Sequence, residues 1–359
     1  MTLTVGVDVG GTSVRAGVVN GDGAVLDLAR TPTPRSEAAL EAAVAGVVDT
    51  LASRHPIAAV GLALAGFITP DRRAVRFAPH LSWRDAPVAD RLGNRIGLPV
   101  VVEHDANAAA LAERYFGAAS GAATAVFVAL GTGIGSALLL DGVLYRGAFG
   151  VAPELGHLQV VPDGRPCPCG KTGCWERYCS GTALATTAVE LMARDPGQSP
   201  LLSRLAAGDP RRVTGQGVAA AAREGDPVAC AAMEDLARWL GVGLALIADV
   251  FDPELVVIGG GVSESAPLFL DEAREHYASL LTGAGRRPLA RIRTAQLGEA
   301  AAVVGAAQLA RDLVTGATRS EARAIGPPAP RRSGGGAGRD AAGRPQRTAP
   351  PSGSSGSSR

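Results

Sequence analysis

Three cysteines and one histidine carry the sharpest chemical signal in the chain. Cys167-Pro168-Cys169 is followed by Cys174, which puts three thiols within eight residues, and His157 stands ten residues upstream. Thiolate and imidazole are the donor types of tetrahedral zinc. Four protein ligands would close the shell, which makes such a centre structural rather than catalytic. Gly170 and Gly173 allow the sharp turns that bring ligands so close in sequence to one point. A run of free buried cysteines is the competing reading, and the Gly and Pro neighbours fit it poorly. The chain has five cysteines in all. An odd number, with three crowded together, suits a metal in a reducing cytoplasm better than a disulfide framework. Cys179 and Cys230 read as small buried side chains.

A second signal comes from glycine-rich turns. Asp8-Val9-Gly10-Gly11-Thr12, Gly131-Thr132-Gly133-Ile134-Gly135 and Gly259-Gly260-Gly261 each end an apolar, β-branched run. Such turns expose backbone N–H groups that can hold phosphate oxygens, although a single one needs glycine only for its conformation. Asp8 adds a carboxylate to an otherwise apolar strand and so requires a partner; Mg2+ bound to phosphate would serve. The spacing fits neither the Gly-x-x-x-x-Gly-Lys-[Ser/Thr] loop nor the dinucleotide fingerprint. A nucleotide site of another kind is implied.

Asp105 lies in Glu103-His104-Asp105-Ala106-Asn107-Ala108, between a strand-like run and a helical pattern. Taken alone it reads as an N-cap. The phosphate turns, with Glu154, His157 and Glu176 in tightly turned segments, change that reading to a catalytic base.

These residues need a scaffold, and the scaffold repeats. Residues 5–19 read strand, Gly-rich turn, strand, and residues 124–140 read the same; a shift of 120 positions lays Gly11-Thr12 on Gly131-Thr132. A duplicated α/β domain is predicted, with chance likeness of two hairpins as the alternative. Strands are expected at 58–65, 99–103 and 255–258. Helices are expected at 37–53, 106–116, 181–194, 218–223, 227–248 and 300–313. Residues 315–359 turn to Pro, Gly, Ser and Arg and predict a disordered tail. Hydrophobic residues are 47% and charged residues 19% of the 359, as in an ordinary soluble enzyme. A net charge of +1 gives no basic field for nucleic acid. The N-terminus has no leader pattern and no stretch reads as a membrane span, so a cytoplasmic location is expected.

In this order, Asp8-Val9-Gly10-Gly11-Thr12, Glu103-His104-Asp105-Ala106-Asn107-Ala108-Ala109, Gly131-Thr132-Gly133-Ile134-Gly135, Glu154-Leu155-Gly156-His157 and Cys167-x-Cys169-Gly170-x-x-Gly173-Cys174 resemble the ROK-family sugar kinases, most of all their actinobacterial glucokinases, over residues 3–313. The resemblance implies an α/β, actin-like and hexokinase-like (ribonuclease H-like) fold with two duplicated domains closing over a cleft. It also implies a homodimer. Residues 1–117 would form the first domain and 118–299 the second, with helix 300–314 returning to the first.

By resemblance, Asp105 is the base for the attacking hydroxyl. Asp8 helps place Mg2+, and Gly10, Gly11 and Thr12 contact phosphate of ATP. Gly131, Thr132 and Gly133 form a second phosphate loop, and Gly259, Gly260 and Gly261 approach the adenosine. Gly66, His80, His104, Glu154, His157 and Glu176 occupy sugar-contacting positions. His157 would hold zinc through one ring nitrogen and a substrate hydroxyl through the other.

The chain departs from the family at His104 and His80, where glucokinases usually carry Asn. An imidazole spaces its donor and acceptor differently from an amide, so the pocket's hydrogen-bonding pattern changes. Ser13 and Ser136 are further departures, read as lying nearer the surface or loop ends. The two histidines point to a glucose-like ring other than glucose, such as a valienone- or valiolone-type C7-cyclitol phosphorylated at its exocyclic hydroxyl. Glucose itself is the alternative, and a non-catalytic sugar sensor is an alternative of another class. A sugar-responsive repressor would carry a DNA-binding region before the Asp8 motif, where this chain leaves no room. Polyphosphate in place of ATP stays open as donor.

Overall fold

The computed structural model describes residues 2–194 and 197–316. Of the tail expected at 315–359, Thr315 is the last residue of α9 and Gly316 its C-cap; the remainder lies outside the described residues.

The first half opens on β1 (Leu3–Val9), β2 (Ser13–Val19) and β3 (Val25–Pro32), then α1 (Glu37–Ala52) and β4 (Ile57–Leu64). Three short strands follow, β5 (Phe67–Ile68), β6 (Val75–Phe77) and β7 (Arg84–Ala86), then α2 (Val88–Ile96), β8 (Val100–His104) and α3 (Asp105–Phe116). The second half repeats the plan with β9 (Ala125–Leu130), β10 (Ile134–Leu140) and β11 (Val143–Tyr145). After a long irregular segment come α4 (Gly181–Arg194), α5 (Pro200–Leu205), α6 (Gly215–Arg223) and α7 (Pro227–Phe251). The chain then forms β12 (Leu255–Gly259), α8 (Leu270–Leu280), β13 (Arg291–Thr294) and α9 (Ala301–Thr315).

Two five-stranded sheets result, ordered β3-β2-β1-β4-β8 and β11-β10-β9-β12-β13. In each, the first three strands pair antiparallel and the last three parallel. Order and direction match strand for strand, which is the duplication that the two Gly-rich hairpins suggested. Parallel pairing puts the carboxyl ends of β1, β4 and β8 at one sheet edge, and those of β9, β12 and β13 at one edge of the other. Open α/β sheets bind ligands at such edges.

Alternation along the strands explains the layers. Val5, Val7 and Val9 face one way and pack with Leu40, Val44 and Val48 of α1 and Leu92 of α2. The opposite faces of both sheets share a third core with α3 and α9 between them, including Phe127, Leu139, Val257, Val303 and Val304. Val126, Val128 and Leu130 turn to the outer face of the second sheet, against α4, α6, α7 and α8. Helix α9 lies very close to its neighbours. A Cβ added to Gly6 would sit 1.8 Å from the Val303 carbonyl oxygen, and one on Gly61 would sit 1.9 Å from that of Ala306. A larger residue there would force α9 off the sheet. Among the described residues, no helix is long and apolar enough to cross a membrane.

Candidate active site and adjoining metal cluster

Asp105 is the first residue of α3, directly after β8, and its side chain is 40% exposed. The N-cap position belongs to His104, whose side chain makes no capping bond. Asp105 Oδ1 accepts only from the adjacent Ala106 N, at 2.7 Å, among its hydrogen bonds to backbone, and lies 3.4 Å from His104 Nδ1. The helix-capping reading of Asp105 is therefore not what the structure displays. Its carboxylate keeps an open face.

Directly beneath it, Glu103 is fully buried and takes four contacts. These come from Arg72 Nε at 2.7 Å, Arg146 Nε at 3.0 Å, Asn107 Nδ2 at 3.0 Å and the His104 backbone N–H at 2.9 Å. Burial pushes its carboxyl up, but the two guanidinium groups and the hydrogen bonds outweigh that and hold it below its ordinary range. Arg146 also donates to the carbonyls of Pro70 and Thr69, at 2.8 and 3.1 Å, so one side chain from the second half pins three points of the first. Sequence reading missed Arg72 and Arg146, which are far from Glu103 in the chain.

A small recess opens beside Asp105, lined by Gly66, His104, Asn107, Ser136 and the 150–154 loop ending at Glu154. Ser136 is a correction to the sequence reading, which set it near the surface. It is buried, donates to the Pro153 carbonyl at 3.1 Å and accepts from Leu155 N at 3.1 Å, so it fixes the backbone on both sides of Glu154. Glu154 is pushed above the ordinary carboxylate range, first by burial and then by the charges of Asp105 and Glu176; His104 and His157 oppose this. His157 lies between two of these carboxylates, 4.0 Å from Glu154 Oε2 and 3.6 Å from Glu176 Oε1, and His104 Nδ1 lies 3.4 Å from Asp105 Oδ1. His80 is not among the residues lining the recess. It is exposed and lies against the first glycine turn, its Cβ 3.3 Å from where a Gly11 Cβ would stand.

The metal-ligand spacing folds as expected. Short antiparallel bridges pair Gln159 with Cys174 and Pro166 with Thr172, and Gly173 adopts φ +71 to make the turn. His157, Cys167, Cys169 and Cys174 each offer a ligand atom, and all four lie within 4.8 Å of one another. Cys169 Sγ to Cys174 Sγ is 3.6 Å and Cys167 Sγ to His157 Nδ1 is 3.7 Å. A tetrahedron with Zn–S near 2.3 Å has edges of about 3.7 Å, so the donor set fits that ion. Cys179 is buried and Cys230 half-buried, both apart from the cluster. His157 turns Nδ1 to the cluster and leaves Nε2 4.0 Å from Glu154 Oε2. Glu176 stands between the cluster and the second glycine turn. Its Oε1 accepts from Cys167 Sγ at 3.1 Å, and its Oε2 accepts from Ile134 N at 3.4 Å.

The glycine turns sit at the strand ends, as predicted. Gly10 N donates to Ser13 O, and Thr33 braces the turn through Oγ1 to Gly10 O at 2.6 Å. Asp8 takes its charge partner from within the chain, since Arg15 Nη2 is 2.6 Å from its Oδ2. Burial raises the Asp8 carboxyl, Arg15 opposes that, and the nearby charge of Asp105 adds to it. Gly131 O accepts from Gly181 N at 2.8 Å, which sets the start of α4 on the second turn. Gly260 has φ +78, and a Cβ there would lie 2.4 Å from Leu130 O, so the second and third turns adjoin at the ends of neighbouring strands. Gly135 of β10 packs on Ala106, in the first turn of α3, which sets the second half against the helix that Asp105 opens.

Comparison with known proteins agrees with this arrangement. The ROK family model matches residues 4–313. The glucokinase of Streptomyces coelicolor is 44% identical over 312 residues, spanning 87% of this chain and 98% of that protein. A ROK family glucokinase from Streptomyces griseus, solved in complex with glucose and AMPPNP, is 44% identical with a TM-score of 0.79; the match covers 86% of this chain and 99% of that one. The ROK hexokinase of Thermus thermophilus is 33% identical with a TM-score of 0.73, covering 88% and 100% of the two chains. The sheets, the turns at their edges and these matches together make the chain a member of the ROK family.

Proposed function

We propose that this chain is an ATP-dependent kinase that phosphorylates the exocyclic primary hydroxyl of a glucose-type six-membered ring. The observation that carries the reading is the open carboxylate of Asp105, placed between a polar recess and strand-end glycine turns. The residues 1–117, with α9, and 118–299 would form the two walls of the cleft.

Phosphoryl transfer asks mainly for positioning and for neutralisation of charge. The ring would lie across the mouth of the recess, with hydroxyls meeting Glu154 and His104 at its rim and Glu176 and the Nε2 side of His157 beside it. Asp105 takes the hydroxyl proton as the acceptor oxygen bonds to the γ-phosphorus and the bond to the ADP bridging oxygen breaks. The turns at Gly10-Gly11-Thr12, Gly131-Thr132-Gly133 and Gly259-Gly260-Gly261 would receive the nucleotide. A Mg2+ carried by the nucleotide, met by Asp8, would screen the phosphate charge. His157, Cys167, Cys169 and Cys174 would hold zinc, which fixes the loop that carries His157 and Glu176. The AMPPNP complex of the Streptomyces griseus relative supports ATP over polyphosphate as donor.

Between acceptors, the glucokinase relatives support glucose. A second reading, a C7-cyclitol, is favoured by the His104 imidazole in the recess. ADP release measured across glucose, mannose, N-acetylmannosamine, fructose and C7-cyclitols decides. Efficient turnover of glucose with poor turnover of the rest removes the cyclitol reading, and the reverse result removes glucose. No ADP release with any primary-hydroxyl ring would overturn the kinase reading itself.

A further inference from the structure

We infer that Arg15 is a further catalytic residue, whose Nη1 edge takes a γ-phosphoryl oxygen of the nucleotide while Asp8 grips its other edge. This deepens the kinase reading and rests on it. The β1–β2 register sets Asp8 directly across from Arg15, three residues past Thr12 and on the strand edge that carries the first glycine turn. Nε and Nη2 of Arg15 both reach Asp8 Oδ2, at 3.2 and 2.6 Å, and the Asp8 side chain is only 14% exposed. That edge of the guanidinium is locked.

The other edge is not. Nη1 meets Glu299 Oε2 at 3.2 Å, and the Glu299 side chain is 84% exposed. A carboxylate so open to water holds a cation weakly and is readily displaced. Glu299 thus sits where an anionic oxygen would meet Nη1. Arginine suits the task better than lysine, because its planar fork can bond one anion along each edge, whereas lysine offers the charge alone. The backbone N–H groups of the turns supply partial charges, whereas Arg15 supplies a full positive charge where the transferred group carries its negative charge. Arg15 exchanges no proton in this role. The hydroxyl proton still goes to Asp105, and ADP leaves with the electron pair of the broken P–O bond.

The test uses the full chain, with ATP and ADP affinity read by calorimetry and turnover read by ADP release. Arg15→Ala should raise the Kd for ATP about tenfold, leave that for ADP within about twofold, and lower kcat by about 10²–10³, as loss of one charge-stabilising donor does. Arg15→Lys should recover part of the ATP preference. Glu299→Gln, which frees Nη1, should tighten ATP about two- to threefold and leave ADP unchanged. Equal weakening of ATP and ADP, or unchanged turnover in Arg15→Ala, would overturn the assignment. Should Arg15→Ala not fold, the Lys and Glu299 variants still decide. If wild-type chain turns over no acceptor, the kinase reading fails, while the ATP-against-ADP comparison still reports on Arg15.

Discussion

The two glycine hairpins occupy equivalent places in the two sheets, yet they are braced by different chemistry. At the first, Thr33 holds the Gly10 carbonyl, and the charge beside the turn is the Asp8–Arg15 pair on facing strands. At the second, Glu176 reaches Ile134 N from one oxygen and the Cys167 thiol from the other, so the turn is tied to the His/Cys cluster. Duplication copied the backbone path, because strand order and direction repeat. It did not copy the insertions. The β5–β7 segment after β4 brings His80 to the first turn, and the segment between β11 and α4 brings the cluster to the second. The lesson is that the fold supplies two similar cradles and that inserted loops decide what each can do.

The sharpest way to break this comparison is to challenge the His157, Cys167, Cys169 and Cys174 cluster with a chelator and to restore Mg2+ before assay. The treatment should abolish turnover and loosen the 157–176 segment, since a closed zinc site there would contribute directly to folding. Nucleotide protection of the first hairpin against hydrogen exchange should persist. Loss of protection at both hairpins together would show that the two are not independently braced.

Next in size is the floor that both halves share. Glu103→Ala leaves Arg72 and Arg146 buried without their carboxylate, and unfolding free energy should fall by about 3–5 kcal/mol. The pH dependence follows from the sign of the shift. Glu103 is held below its ordinary range in the fold, so its stabilisation is present above that range and is lost as pH falls through the folded value. Glu103→Gln should flatten that acid loss. An unchanged acid limb would refute the ion-pair account.

A smaller effect is expected from Glu176→Gln. The amide keeps the shape but loses the charge beside Cys167 and His157, and metal affinity or turnover should drop about 10–100-fold. The first hairpin predicts the contrast: ADP affinity should not move. A change in ADP affinity equal to the loss of turnover would mean that Glu176 acts on the nucleotide rather than on the ring.

Much of the site was legible because its signals are local. The cysteine spacing, the glycine turns and the strand-to-helix step at Asp105 are each set by neighbours within a few residues, and the structure places all of them at strand ends or in one hairpin. The hairpin register also contained the Asp8–Arg15 pair, since a turn at residues 10–12 sets Asp8 opposite Arg15; the sequence reading assigned Asp8 to Mg2+ and overlooked its facing strand. Arg72, Glu103 and Arg146 are held together only by tertiary packing, which no local pattern reports. Strands as short as β5, with two residues, carry no periodicity to read. Ser136 was undervalued for a similar reason, because its partners at Pro153 and Leu155 are reached only in the fold.

The central claim is that Asp105 removes the proton of the attacking hydroxyl. Asp105→Asn, assayed by ADP release at saturating ATP and acceptor, should lower kcat about 10³-fold with Tm and ATP affinity unchanged. Turnover within a few fold of wild type would contradict it.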